Sequence, residues 1–283
     1  MSDVKKRFLR SGKVKDIYDA SREELLFVFT DRLSSHDVML ADEIPHKGQV
    51  LCRLSAHCFE NCEDNGIETH MVDVPAPNKM LVKKLFLIPI EVIGRNYVYG
   101  SYWKRYQRGE VELPEGTDPV LAAKLSEPLV EFTTKFEAKD KPLTEQEVIS
   151  RGWLGAPEID QIKKITLQLN ELMLKDAERA GFILADFKLE FGIDADGKII
   201  LADEVETPDS CRFWDASKYQ PDKIQESFDK QIVRDYLEKV KGWDKNQPAP
   251  GTKLTESILP DEIINKTSQR YIQAYERLTG RKF

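Results

Sequence analysis

The sequence predicts a mixed fold of strands and helices, arranged as two lobes with a cleft between them. Three observations carry this prediction. The chain has 283 residues, 41% hydrophobic and 32% charged, which is enough for a sizeable core and long enough to divide into two lobes. Short runs that alternate polar and apolar residues, separated by turn signals, recur in both halves with the period of strands. Other stretches place apolar residues three and four apart and stop at glycine, as amphipathic helices do. Clefts between lobes bind small molecules.

The first lobe opens with Arg10 to Asp19, a turn around Ser21 to Glu24, and Leu25 to Thr30, which together read as a long hairpin. Gly12 lets the backbone approach a ligand closely, and Lys13 and Lys15, two residues apart on one strand face, suit phosphate oxygens. Asp31 to Asp37 reads as a polar loop, and His36 receives no role. An amphipathic helix from about Gln49 to Glu63 holds Cys52, Cys58 and Cys62. With Cys211 these form no CxxC pair and read as reduced packing residues. A zinc site from Cys58, Cys62, His57 and His70 is set aside because the ligand pattern is not a standard one.

Leu81 to Ile88 and Ile90 to Arg95 read as two strands around Pro89, the place for a crossing between lobes. That divides the chain into residues 1–88 and 89–283. Helical spacing begins after Gly100-Ser101, with Ser101 as the expected N-cap. Gly109 to Glu147, rich in Pro, Glu, Thr and Lys, reads as a loop. Helices are expected over Asp160 to Ala180, Asp222 to Val240 and Pro260 to Leu278, with a linker from Asn246 to Gly251.

The most informative segment is Leu184 to Gly192, where Asp186, Lys188 and Glu190 alternate with Ala185, Phe187, Leu189 and Phe191. It predicts a strand with one charged face. Lys198 to Glu204 follows across Asp196-Gly197, a strong hairpin turn signal. If Asp196 and Gly197 are the two central turn residues, Glu190 lies directly opposite Asp203. Opposed acids are destabilising on a sheet unless a divalent cation sits between them, so the pair reads as a candidate Mg²⁺ site.

The net charge of -7 and pI near 5.4 argue against general affinity for nucleic acid or anionic membranes. Ser2, Asp3, Lys5, Lys6 and Arg7 lack an apolar leader pattern, and no uncharged stretch approaches a membrane span, so a cytoplasmic location is expected.

Ile88 to Arg95 ending in Gly100-Ser101, and Leu184 to Gly192, resemble the two diagnostic motifs of the phosphoribosylaminoimidazole-succinocarboxamide synthase (SAICAR synthetase) family. Gly12 to Tyr18, Lys47 to Leu51, Leu81 to Lys84 and Pro208 to Trp214 are also similar to that family. The resemblance spans nearly the whole chain. It implies an α+β architecture in which a small antiparallel N-terminal lobe covers ATP and a larger mixed lobe carries the substrates. It implies a Mg²⁺-requiring ligase of purine biosynthesis that joins L-aspartate to carboxyaminoimidazole ribonucleotide (CAIR), with ATP cleaved to ADP and phosphate through an acyl phosphate.

The resemblance also implies residue roles. Gly12, Lys13 and Lys15 lie over the phosphates, with Val14, Val82 and Lys83 to Leu87 near adenine. Glu190 and Asp203 hold the metal and contribute to ATP binding. Arg95, Gly100, Ser101, Asp209, Ser210 and Arg212 surround the nucleotide substrate, and Asp186 and Lys188 serve catalysis. Asp37, Asp186 and Asp209 remain open as the base for the aspartate amine. Glu131 to Glu147 and the tail beyond Val240 resemble the longer, eukaryote-type variant, and the oligomeric state stays open. An inositol-polyphosphate kinase sharing Asp186 and Lys188, and a nucleotide-binding regulatory module, are the alternative readings.

Overall fold

The computed structural model describes residues 7–35, 38–137, 140–243, 248–249 and 251–283. His36, Asp37, the first six residues and half of the expected linker lie outside the described residues. The N-terminal strands are β1 (Arg7–Ser11), β2 (Lys15–Asp19) and β3 (Glu24–Phe29). The hairpin expected there is β2 with β3, and β1 adds an outer strand. Two further strands follow, β4 (Arg32–Ser35) and β5 (Val38–Glu43), which pair with each other. The reading of Asp31 to Asp37 as loop is therefore corrected: Leu33, Ser34 and Ser35 are buried in β4.

Helix α1 (Lys47–Asp64) carries the three cysteines, buried and free. Gly48 in its first turn has no side chain because a Cβ there would lie 2.7 Å from the Phe29 carbonyl oxygen. This contact seats α1 against β3. After it come β6 (Met71–Ala76) and β7 (Lys79–Lys83), completing an antiparallel sheet of order β1-β2-β3-β7-β6.

The second sheet gathers β8 (Phe86–Leu87), β9 (Ile90–Tyr97), β10 (Lys124–Thr134), β11 (Pro142–Leu143), β12 (Phe182–Ile193), β13 (Ile199–Ala202) and β14 (Cys211–Asp215). Its path is β11-β10-β9-β12-β13, and β8 and β14 also pair with β12. All of these pairings are antiparallel. Between the strands lie α2 (Gly100–Gln107), α3 (Glu145–Ser150) and α4 (Ala156–Arg179), and after them α5 (Gln231–Lys241) and α6 (Asp261–Thr279). The architecture is α+β, as the resemblance implied.

Strand β12 organises the molecule. Phe187, Leu189 and Phe191 are buried on one face, in a core cluster that reaches from Met80 and Val82 of the first sheet to Phe59 of α1 and Tyr271 of α6. Gly94 of β9 lies opposite Phe187. A Cβ on it would stand 2.1 Å from the phenyl ring, so only glycine lets the two strands pair around that ring.

Several expectations need correction. Residues 109–147 are not one loop, because β10 runs beside β9 and α3 begins at a capping box in which Thr144 and Glu147 satisfy each other's backbone N–H groups. The strand was hidden by Pro128 and by the register shift between Lys124 and Leu129. Helix α4 starts four residues earlier than expected, where the Gly155 N–H bonds the Glu158 carboxylate at 3.0 Å. Helix α5 starts at Gln231 rather than Asp222, since the preceding residues are tied down irregularly, with Phe228 N–H donating to the Phe213 carbonyl.

The β12–β13 hairpin also differs in register. Glu190 pairs with Ala202 rather than Asp203. Asp194 N–H bonds the Lys198 carbonyl, so the loop is Ala195-Asp196-Gly197, with Gly197 at a φ of 83°. An Asp-Gly pair at the end of a three-residue loop looks the same in sequence as a two-residue turn, and the extra residue shifts every partner by one.

Candidate active site

A cleft of about 780 Å³ lies where β2, β12 and the end of β10 meet. The β1–β2 turn brings Gly12, Lys13, Val14 and Lys15 to its wall. The turn is closed by Gly12 N–H donating to the Lys15 carbonyl at 2.8 Å. Lys15 is buried, its ammonium 2.8 Å from Asp203 Oδ1 and about 5 Å from the rings of Phe27 and Phe29. Asp203 sits just past β13 with a φ of 71°. That left-handed turn, which no strand register predicts, swings its carboxylate toward Lys15.

The outward face of β12 supplies a row of charges, each held by a partner from another element. Glu190 pairs with Lys135, just beyond β10. Lys188 donates to Glu91 of β9 at 2.7 Å. Asp186 accepts from Arg212 of β14 at 2.5 Å and lies 3.7 Å from Arg95 of β9. The row thus links the lysine-lined end of the cleft to a neighbouring arginine cluster. In that cluster Arg95 also bonds Glu131 at 2.5 Å and donates to the Ser101 hydroxyl at 3.1 Å. Ser101 is therefore not the N-cap of α2, a position held by Tyr99. Gly100 has a φ of 59°, and a Cβ there would meet the Arg212 guanidinium at 2.8 Å, so its bare Cα admits that side chain.

At the other wall, Asp209 Oδ2 pairs with Lys47 at 2.8 Å, and its Oδ1 accepts from Tyr271 at 2.5 Å. Ser210 folds back on Thr207, and its carbonyl accepts from the Lys188 N–H at 2.8 Å. Of the residues assigned to adenine, Val14 lines this cleft and Val82 and Lys83 to Leu87 do not. Val82 is packed in the core, Leu87 pairs with Gly192, and the Lys83 ammonium turns to the Thr69 carbonyl.

The charges tune one another. Burial opposes the charge on Lys15, but Asp203 and Glu204 outweigh it and hold its pKa above the ordinary lysine value. Burial likewise pushes the Asp203 carboxyl up, and Lys15 and Lys135 more than reverse this, leaving it well below the usual range. For Lys188 burial is outweighed by Glu91, and its pKa rises. For Lys135 burial prevails over the attraction of Asp203, and its pKa falls. Half-buried Glu204 is pushed up by desolvation, against the pull of Lys15, with repulsion from Asp203 added. A wall of paired cations and anions suits the transfer of phosphoryl groups, which needs positioning and charge stabilisation more than a protein nucleophile.

No local pattern marks Lys135, Lys230 and Tyr271, whose partners lie far away in the chain. Glu91 and Lys47 did have a signal, because Glu91 stands inside the motif around Pro89 and Lys47 opens the stretch to Leu51.

The fold and cleft define a class: an α+β protein with a charge-lined cleft between two antiparallel sheets, built to hold a polyanionic ligand. The SAICAR synthetase family model matches residues 8–250, and the chain belongs to that family. A phosphoribosylaminoimidazole-succinocarboxamide synthase from Nitrosopumilus maritimus is 40% identical over 277 residues, covering 97% of this chain and 98% of that protein. The structure of SAICAR synthase from Saccharomyces cerevisiae complexed with SAICAR superposes with a TM-score of 0.84 at 33% identity, covering 100% of this chain and 98% of the other. A SAICAR synthetase in complex with ADP gives a TM-score of 0.74 at 32% identity, covering 97% and 98%. Neither the inositol-polyphosphate kinase nor the regulatory-module reading finds support in these matches.

Proposed function

We propose that this chain is the ATP-dependent ligase that joins L-aspartate to CAIR, giving SAICAR, ADP and phosphate in purine biosynthesis. The observation that carries the reading is the charged row of β12. One strand face runs from Glu190, beside Lys135 and the β1–β2 lysines, to Asp186, between Arg212 and Arg95. A phosphoryl donor at the first end and an anionic nucleotide at the second are thereby set next to each other, as an in-line transfer requires. Family membership and the ADP and SAICAR complexes of the related structures support the same reading.

Residues 1–88 then form the nucleotide-covering lobe and 89–283 the substrate lobe. Gly12, Lys13 and Lys15 hold the phosphates, and Val14, the one residue of the adenine set that lines the cleft, faces the base. Arg95, Gly100, Ser101, Asp209, Ser210 and Arg212 enclose CAIR, since guanidinium forks match phosphate and carboxylate.

A carboxylate is a poor electrophile, and phosphorylation remedies this. An oxygen of the CAIR carboxylate attacks the γ-phosphorus, the bond to the bridging oxygen breaks, and ADP leaves. The amine of aspartate then attacks the acyl carbon, and phosphate departs with the carboxylate's former oxygen and the proton that the amine gives up. Lys188, fixed by Glu91, and Lys15 stabilise the charge that develops in transfer, and Asp186 holds Arg212 and Arg95 in register with the nucleotide.

The donor set also fits Mg²⁺. Glu190 and Asp203 supply hard carboxylate oxygens in the cleft, and buried Glu204 Oε2 accepts no hydrogen bond among the described residues. Two carboxylates plus substrate phosphates is the set Mg²⁺ usually takes. Among the described residues no cluster of three or more His, Cys, Asp and Glu forms a protein-only cage. When bound, the ion would neutralise phosphate charge during transfer.

No described helix is long and apolar enough to cross a membrane. With a net charge of -7 and small metabolites as substrates, we place the enzyme in the cytoplasm, without nucleic-acid partners.

Omitting ATP, Mg²⁺, CAIR or L-aspartate one at a time tests the function. The amide product is expected only with all four present. Equal ATP turnover on inositol phosphates would overturn the assignment.

A further inference from the structure

Asp209 stands out among the cleft acids because residues from both ends of the chain hold it. Its Oδ2 pairs with Lys47 from the first turn of α1, and its Oδ1 accepts a 2.5 Å hydrogen bond from the Tyr271 hydroxyl of α6. Lys47 and Tyr271 are both fully buried, and neither lines the cleft. Helix α6 lies beyond residue 250, where the family model ends.

A third group shares Oδ1. The Lys230 ammonium is 3.9 Å away, too far for a hydrogen bond, and Lys230 does line the cleft, with Arg234 beside it. A half-buried ammonium next to a carboxylate would normally close to contact distance, since partial desolvation strengthens the attraction. Here the Tyr271 hydroxyl holds Oδ1 at 2.5 Å and Lys47 lies 2.8 Å from Oδ2, and the Lys230 ammonium stops short of contact. The lysine is held near the acid without being consumed by it, and its donors stay available to the cleft.

We propose that Tyr271 is a positioning residue: by binding Asp209 Oδ1 it keeps the Lys230 ammonium at the cleft wall, where it receives an anionic group of a substrate. That group is a carboxylate or a phosphate, carried by aspartate or by CAIR. The inference rests on the ligase reading above. Without the hydroxyl, Lys230 swings onto Oδ1 and withdraws from the ligand.

The test uses the full chain carrying Tyr271→Phe, which removes one oxygen from a buried ring and retains its packing. Initial rates are measured while ATP, CAIR and aspartate are varied separately. The KM of CAIR or of aspartate is expected to rise about tenfold with the KM of ATP within about twofold, and the substrate affected identifies the source of the anion. Unchanged KM values for both, or an equal rise for ATP, would overturn the proposal.

Lys230→Gln and the double variant complete a cycle. If Tyr271 acts through Lys230, the double variant is no worse than Lys230→Gln alone, whereas additive effects would refute the coupling. Should Tyr271→Phe fail to fold, Lys230→Gln tests the contact on which the proposal depends: normal KM values for both anionic substrates would overturn the proposal, and a raised one would support the Lys230 contact it requires. A wild-type chain that makes no amide at all would count instead against the ligase reading.

Discussion

Asp203→Asn is expected to lower kcat/KM for ATP by about three orders of magnitude, or about 4 kcal/mol of transition-state stabilisation. Asparagine tolerates the left-handed backbone that Asp203 adopts at a φ of 71°, so the loop can keep its path while the charge is lost. Two consequences follow from the geometry. The cleft loses one of its two proposed metal-binding carboxylates, and Lys15 loses the partner 2.8 Å from its ammonium. Burial already works against the charge on Lys15, and Asp203 is the largest influence opposing it. In the variant the lysine pKa therefore falls, and the phosphate end of the cleft weakens twice. Steady-state rates across a Mg²⁺ titration, with a thermal melt to confirm folding, measure the effect. Wild-type rates at limiting Mg²⁺ would remove Asp203 from the mechanism.

Glu206→Gln is expected to make the protein more stable at pH 8 while leaving it nearly unchanged at pH 4.5. Glu206 is buried at 1% exposure, with a φ of 58°. Burial, reinforced by Asp176, pushes its pKa from 4.5 to about 8, and Cys58 and Arg179 offset only part of this. The sign follows from proton linkage. Between pH 4.5 and 8 the folded protein keeps a proton that the unfolded chain has released, so stability is lost as pH rises. The slope reaches at most about 1.4 kcal/mol per pH unit. Glutamine reproduces the neutral acid and removes that slope. Denaturant titrations of both proteins from pH 4.5 to 8 decide it, and parallel stability curves would contradict the assignment of a raised pKa to Glu206.

The β12 strand was legible because its charges and hydrophobic residues alternate without interruption, and the same alternation placed Asp186, Lys188 and Glu190 on one face. The α1, α4 and α6 helices were legible from their spacing. Register was not: the loop Ala195 to Gly197 adds one residue that an Asp-Gly signal cannot reveal. Glu190 and Asp203 nonetheless reach the same cleft, because Asp203 leaves the strand in a left-handed turn. Their proximity is a property of that turn and not of strand pairing.

Strand β10 was illegible for a different reason. It carries Pro128, shifts register beside β9, and ends in Thr133 and Thr134, which are buried although polar. Losing that strand also lost Lys135, which its end delivers to Glu190. The Lys47–Asp209–Tyr271 contact joins residues 47, 209 and 271, and pairings of that range are set by packing alone.

The central claim is that the cleft activates a carboxylate by phosphorylating it before the amine attacks. The most direct measurement is turnover of CAIR whose carboxylate carries ¹⁸O in both positions, with unlabelled ATP, Mg²⁺ and L-aspartate, followed by mass analysis of the released phosphate. An acyl phosphate passes one labelled oxygen to phosphate in each turnover, so the phosphate should carry one ¹⁸O and the amide should retain the other. Phosphate released without label, with both labelled oxygens absent from it, would contradict carboxylate activation in this cleft.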